Sequence, residues 1–238
     1  MFFVQYLCVS RMAKKMNNVY HRYWLQFAKQ DAMKFIGHLD LLRIFQQSIR
    51  RAQLPVAYSM GFNPHQRLSF AMPLPVGMAG TAEWAEILLD SPFASDVLQA
   101  ALNPVLPHGL QVTAVYSAPG SAPRLAPSVM AADYTAHFPE GAPAGLEAAV
   151  AQMLAAPEIL MEKKTKSGTR EVDIRPDIFG LAFLEGALHM RLATGSAQNL
   201  NPQLVLRALS RENAVITRIG LLACPQGVFV PLHTLAAQ

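Results

Sequence analysis

The spacing of apolar and polar positions changes period several times along this chain, and each change marks an element. Tyr23–Lys29 alternates with the two-residue period of a half-buried strand. His38–Gln53 switches to helical spacing, with Leu41, Leu42, Phe45, Ile49 and Ala52 on one face and Arg43, Gln47, Arg50 and Arg51 on the other. Pro55 stops it. Leu68–Met72 and Trp84–Leu89 read as strands, Ala94–Asn103 as a second helix and Leu110–Tyr116 as a closing strand, so the order is βαββαβ.

The pattern then lapses and returns. SAPGSAPRLAPS at Ser117–Ser128 has the Pro/Ser/Ala character of a linker and no periodicity. Beyond it, Tyr134–Phe138 reads as a strand and Ala144–Ala155 as an amphipathic helix. Ile159–Thr165 and Arg170–Ile174 read as two strands joined by a turn at Lys166–Gly168, and Leu188–Ala193 as another. Asn201 is a good N-cap with Pro202 in the first turn, so Pro202–Ser210 is expected to be helical, and Val215–Leu222 closes the unit. The expected fold is α+β: two tandem ferredoxin-like (βαββαβ) units with antiparallel sheets, over 20–117 and 131–238, joined by a linker at 118–130 and preceded by a disordered extension over 1–19.

Composition narrows the class. The chain has 238 residues, about half of them apolar, enough to bury a core in one large or two small domains. Cys8 and Cys224 are the only cysteines, too few for a four-cysteine zinc site or a three-cysteine iron–sulfur motif, so no metal site and no cofactor are expected in this chain. The apolar start FFVQYLCV precedes Arg11, Lys14 and Lys15, the reverse of a secretory signal, and no run reaches membrane-spanning length. A cytoplasmic protein is expected.

Charge is segregated. Arg11–Arg67 holds ten Lys/Arg against two Asp/Glu, Leu68–Glu162 one against nine, and Lys163–Arg218 nine against five. Two basic blocks flanking an acidic one suggest a basic face for a polyanion, although solvated faces that happen to cluster would look the same.

The segment PVAYSMGFNPHQRLSFAMPLPVG at Pro55–Gly77 fits neither a helix nor a plain strand. Its part at Val56–Gln66 is a long connection after the first helix, where Gly61 allows positive φ and Pro64 restrains Asn63 to extended geometry. The loop is shaped to present something.

GHLDLLR at Gly37–Arg43, RRAQLPVAYSMGFNPHQRLSFAMPLPVG at Arg50–Gly77, the following Glu83, and KKTKSGTREVDIRP at Lys163–Pro176 together resemble the bacterial DUF2344, or radical-SAM-linked, family. The resemblance runs from about Tyr23 to the last helix. It implies a domain that occurs either as a stand-alone chain or fused behind a radical S-adenosylmethionine (radical SAM) protein, and for this chain a separate radical SAM partner that carries S-adenosylmethionine and an iron–sulfur cluster. The family carries no assigned biochemical activity. Two departures stand out: Gly37 occupies a position where the family usually has serine, and Gln66 one where it often has proline.

Three groups of residues could carry chemistry. His38 and Asp40 at the first helix start could act as acid and base, or begin a metal site with His65; the favoured reading is structural, with Asp40 a first-turn acid suited to the helix dipole and His38 a cap residue. Tyr58, Asn63, His65 and Arg67 could stack on a base, read an edge and grip phosphate, or Tyr58 and Phe62 could pin the loop to the core. Lys163, Lys164, Lys166, Arg170 and Arg175 form a basic finger suited to RNA, or an edge guarded by lysines. Arg43, Arg50 and Arg51 add to the basic face. Two functions follow: a non-catalytic module that presents RNA or another substrate to a separate radical SAM enzyme, or a metal-independent RNA-processing endonuclease built on tandem ferredoxin-like units.

Overall fold

The computed structural model describes residues 20–165 and 168–237. The extension expected over 1–19 lies outside the described residues, as does Lys166. The protein is a mixed α+β structure dominated by one large, mostly antiparallel sheet.

The first half contributes strands β1 (His21–Lys29), β2 (Leu68–Phe70), β3 (Ala79–Leu89) and β4 (Leu110–Ala118), with helices α1 (His38–Arg51) and α2 (Ser95–Leu102). Their order in the sheet is β4-β1-β3, with β2 on the far side of β3. The second half contributes the four-residue helix α3 (Leu125–Ser128), β5 (Ala131–His137), α4 (Leu146–Ala155), β6 (Leu160–Thr165), β7 (Gly168–Asp173), β8 (Ile178–Leu184), β9 (Ala187–Ala193), α5 (Pro202–Ala208), β10 (Val215–Ala223) and β11 (Val230–Pro231). Here the order is β10-β5-β9-β8.

A parallel pairing of Thr217 and Arg218 on β10 with Ala79 and Gly80 on β3 makes the two halves one continuous sheet. That join is non-local. It uses the edge of β3 left open below its short pairing with β2, where Leu68–Phe70 face Ile87–Ala85.

One expectation needs correction. The two strands read at 159–165 and 170–174 do pair with each other, as β6 and β7, but in a separate two-stranded sheet. The sheet position assigned to them belongs to β8, whose run IFGLAFL carries no clean alternation because a bulge between Ile178 and Gly180 breaks its register with β9. A bulged, largely apolar strand lacks the two-residue signature by which the others were found.

Helix α1 follows its sequence pattern: Leu41, Phe45 and Ile49 are buried, while Arg43, Gln47, Arg50 and Arg51 are exposed. Phe45 meets Phe27 and Phe70 at ring-centroid distances of 5.0 and 5.3 Å, the centre of a core that also holds Leu25, Ile87, Leu98 and Leu102. Each such aromatic pair contributes about 0.5–1.5 kcal/mol beyond area burial. A second core lies under α4 and α5 around Tyr134, Leu188, Met190 and Val205 and runs on to Trp24 and Trp84 of the first half. At α5 the Asn201 side chain accepts a hydrogen bond from Gln203 N at 3.0 Å, the cap read from the sequence.

The stretch expected as a linker is tied into this second core. Leu125 and Val129 are buried, and the Arg22 guanidinium donates to the carbonyls of Pro119 and Ala122. Met78 and Met153 are buried in it as well. No helix among the described residues is long and apolar enough to cross a membrane.

Candidate functional site

The segment between α1 and β2 is a compact loop built on a narrow two-sided base. Val56 bridges Leu89, Tyr58 bridges Gln66, and Ala57 O accepts from Arg67 N at 2.7 Å. Ser59 N donates to His65 O, and Ser59 Oγ lies 2.8 Å from His65 Nδ1 while also accepting from His65 N at 3.0 Å. Gly61 takes φ +127°, a backbone that side chains rarely adopt, and turns the tip. What the tip presents is Met60, Phe62, Asn63 and Pro64, all exposed, with Phe62 wholly in solvent at 106%.

Phe62 therefore does not pin the loop to the core, one of the two readings left open by the sequence. Tyr58, 46% exposed, sits at the loop base, and Arg67, also exposed, lays its guanidinium 5.0 Å from the Tyr20 ring centroid. Gln66 is buried; its amide donates to Gln46 O at 3.4 Å, while its Oε1 has no hydrogen-bond partner. This tether to α1 orients the loop.

At the start of α1, the N-cap is Gly37 and no side chain caps the helix, so His38 is not the cap expected for it. Its ring sits edge-on to Phe70 at 5.5 Å, at the exposed margin of the first core. Asp40 pairs with Arg43 at 2.9 Å on a solvated face. Arg50 donates to Gln46 O and Arg51 to Ser48 Oγ, both side chains lying on exposed positions of the same helix. Among the described residues no hydrogen bond or ring contact joins His38 to Tyr58 or His65, and no three His, Cys, Asp or Glu side chains are placed to share a metal ion.

The hairpin β6–β7 pairs Lys163 with Arg170 and Lys164 with Thr169 across its two strands. Arg170 is exposed. At its base, Asp173 Oδ1 accepts from Ile159 N and Arg175 N at 2.8 and 2.9 Å, while Arg175 donates to Leu154 O and Ile178 O. Asp173 and Arg175 thus anchor the hairpin.

Sequence reasoning missed the charged cluster at the join of the two halves. Arg218, Glu83 and Lys29 are 1, 2 and 1% exposed. Arg218 Nε donates to Glu83 Oε1 at 2.8 Å and Nη2 donates to Glu83 Oε2; the remaining donors reach Met72 O and Pro73 O at 3.2 Å. Burial disfavours the guanidinium charge, but Glu83 and, to a lesser extent, Tyr134 together more than offset it, leaving the Arg218 pKa raised. Lys29 Nζ donates to Ile36 O at 2.8 Å and Lys34 O at 3.4 Å; burial lowers its pKa, against the pull of Glu83 and with the push of Arg218. The available signal was a charge at an inward position of an apolar strand, as in VITRIGLLA. The cluster fixes the carbonyls that follow β2 and so braces the far end of the segment bearing the loop.

Comparisons with known proteins place this chain. A solved structure described as an unknown protein from Galdieria sulphuraria aligns over 84% of this chain and 97% of its own at 15% identity, with a TM-score of 0.27. No curated protein matches the chain. Residues 22–202 match the family described as an uncharacterized protein conserved in bacteria, DUF2344, and this protein is a member of it.

Proposed function

We propose that this protein is a non-catalytic module that binds single-stranded RNA and presents it to a separate radical SAM enzyme, on which S-adenosylmethionine and the iron–sulfur cluster reside. Two ferredoxin-like units, each with the strand order 4-1-3-2 within its half of the sheet, form the scaffold. The partnership rests on the motif resemblance to radical-SAM-linked proteins.

The observation that carries the RNA reading is the loop tip: Phe62 lies wholly in solvent beside Asn63, on a loop held by the Tyr58–Gln66 bridge. Met60 and Phe62 together make the tip apolar and exposed, and every nucleobase offers a face on which such an aromatic can stack. Arg67 at the base, with Arg43, Arg50 and Arg51 exposed along α1, supplies cations for phosphate. The endonuclease reading gains no support from His38, Tyr58 and His65: the His38 ring packs on Phe70 and His65 Nδ1 lies against Ser59 Oγ.

Fluorescence anisotropy with labelled single-stranded RNA tests this. Binding that weakens as salt rises, and weakens again in Phe62→Ala, is the expected result; no binding at low salt, or clean cleavage of the RNA by the protein alone, overturns it.

A further inference from the structure

The face of β5 and β9 opposite the second core bears a cross-strand row distant in the chain from the loop. Gly180 on β8 faces Arg191 on β9, Arg191 faces Asp133 on β5, and Asp133 faces Gly220 on β10. Arg191 grips Asp133 with both ends of its fork, Nε to Oδ1 at 2.7 Å and Nη2 to Oδ2 at 2.9 Å. The hydrogen bond to Asp133 raises the Arg191 pKa against the cost of burial, and the pair is locally neutral. On both sides of this flat ion pair stands a glycine at a β-bulge, between Ile178 and Gly180 and between Arg218 and Gly220.

The two glycines leave the platform bare. A Cβ on Gly220 would meet nothing within 4 Å, and one on Gly180 only Arg191 Cβ at 3.5 Å, so neither glycine is required by crowding and neither has a positive φ. Each bulge turns one apolar residue outward beside its glycine: Phe179 is 43% exposed and Ile219 38%. Phe179 packs on Phe229 at 4.9 Å, and Phe229 in turn lies 5.6 Å from the Arg191 guanidinium. His189, half-buried in the next row opposite Thr135, completes the rim of a shallow cleft of about 280 Å³.

We infer that this platform is a second ligand site, which stacks a base of single-stranded RNA between the rim of Phe179 and the Arg191–Asp133 plane. The chemistry selects a flat, uncharged ring over a phosphate. Asp133 neutralises the only cation in the row, while an aromatic pair, a guanidinium plane and two side-chain-free slots present stacking surfaces with polar edges nearby. An open antiparallel sheet with aromatic side chains is a platform on which unpaired bases are splayed out and stacked. The inference rests on the RNA reading proposed for the loop and extends it to the other half of the sheet.

The test uses a short single-stranded RNA carrying one 2-aminopurine, whose fluorescence falls when the base stacks, together with anisotropy for overall affinity. Quenching by the parent protein that is lost in Gly220→Leu and Phe179→Ala, with affinity reduced roughly five- to 150-fold, is the expected result. Gly220→Leu adds bulk where the backbone leaves open space, and circular dichroism of both variants confirms the fold. Phe62→Ala should weaken affinity while leaving residual quenching at saturation. Salt-sensitive binding with no quenching, or with quenching unchanged in both platform variants, overturns this site and leaves the loop reading standing. No RNA binding by the parent overturns both.

Discussion

Arg218 and Glu83, 135 positions apart in the chain, form a buried, two-pronged ion pair at the join between the halves of the sheet. The pair also reaches the carbonyls of Met72 and Pro73, so one guanidinium connects β10, β3 and the segment after β2. Glu83→Gln should therefore destabilise the protein by about 3–5 kcal/mol, since it leaves a buried guanidinium without its counter-charge. Urea titration checks this. The double variant Glu83→Gln, Arg218→Met should cost less than the sum of the two single changes, because it removes the orphaned charge.

Gly80→Ala probes the same join from the backbone side. A Cβ there would lie 2.7 Å from Glu83 Cγ, closer than such contacts occur, and would displace the paired carboxylate. A loss of about 1–3 kcal/mol is expected. An unchanged urea midpoint would mean that the carboxylate has room to move without leaving Arg218.

Lys29 makes stability depend on alkaline pH. Its folded pKa is lowered below the ordinary 10.5, first by burial, so in the window between the lowered value and 10.5 the unfolded chain holds the proton that the folded chain has released. Stability contributed by this group therefore rises with pH across that window, because the cost of burying the charge is relieved. The difference in unfolding free energy between the parent and Lys29→Met, measured as a series in pH, should grow in the parent's favour through that range. A flat difference would show that Lys29 keeps an ordinary pKa.

The loop separates binding from folding. Asn63→Ala and Arg67→Ala, both at exposed positions, should change thermal unfolding little while weakening RNA binding. Tyr58→Ala should do both, because it removes the half-buried ring at the loop base together with the apolar area that the ring covers. Calorimetry beside anisotropy checks the split; unfolding of the domain by Arg67→Ala would assign that residue a structural role instead.

The basic hairpin is a two-stranded sheet of its own, separate from the main sheet. Replacing Lys163, Lys164 and Lys166 together by Gln should weaken binding across unrelated RNA sequences. It should also lower the slope of log affinity against log salt by about two, at roughly 0.7 for each phosphate that is no longer neutralised. Equal binding at every salt concentration would make β6–β7 a guarded edge.

Local order was legible in the sequence wherever a residue's neighbours along the chain determine its state. The buried stripe Leu41, Phe45 and Ile49, the Asn201 cap and the shaped loop before β2 all arise from spacing, capping chemistry and glycine or proline geometry. Membership in the family was legible too, because its motifs are contiguous. Which strands lie side by side was not. Alternation says that Arg218 points inward but not that Glu83 waits there, since the parallel join of β10 to β3 is selected by many weak contacts between distant segments. The same limit hid β8, whose bulge erases the period, and the Gly180–Arg191–Asp133–Gly220 row, which exists only once four separate strands are in register. A charge within an apolar strand reads as an anomaly in one dimension; only the folded sheet supplies the partner that makes its burial tolerable.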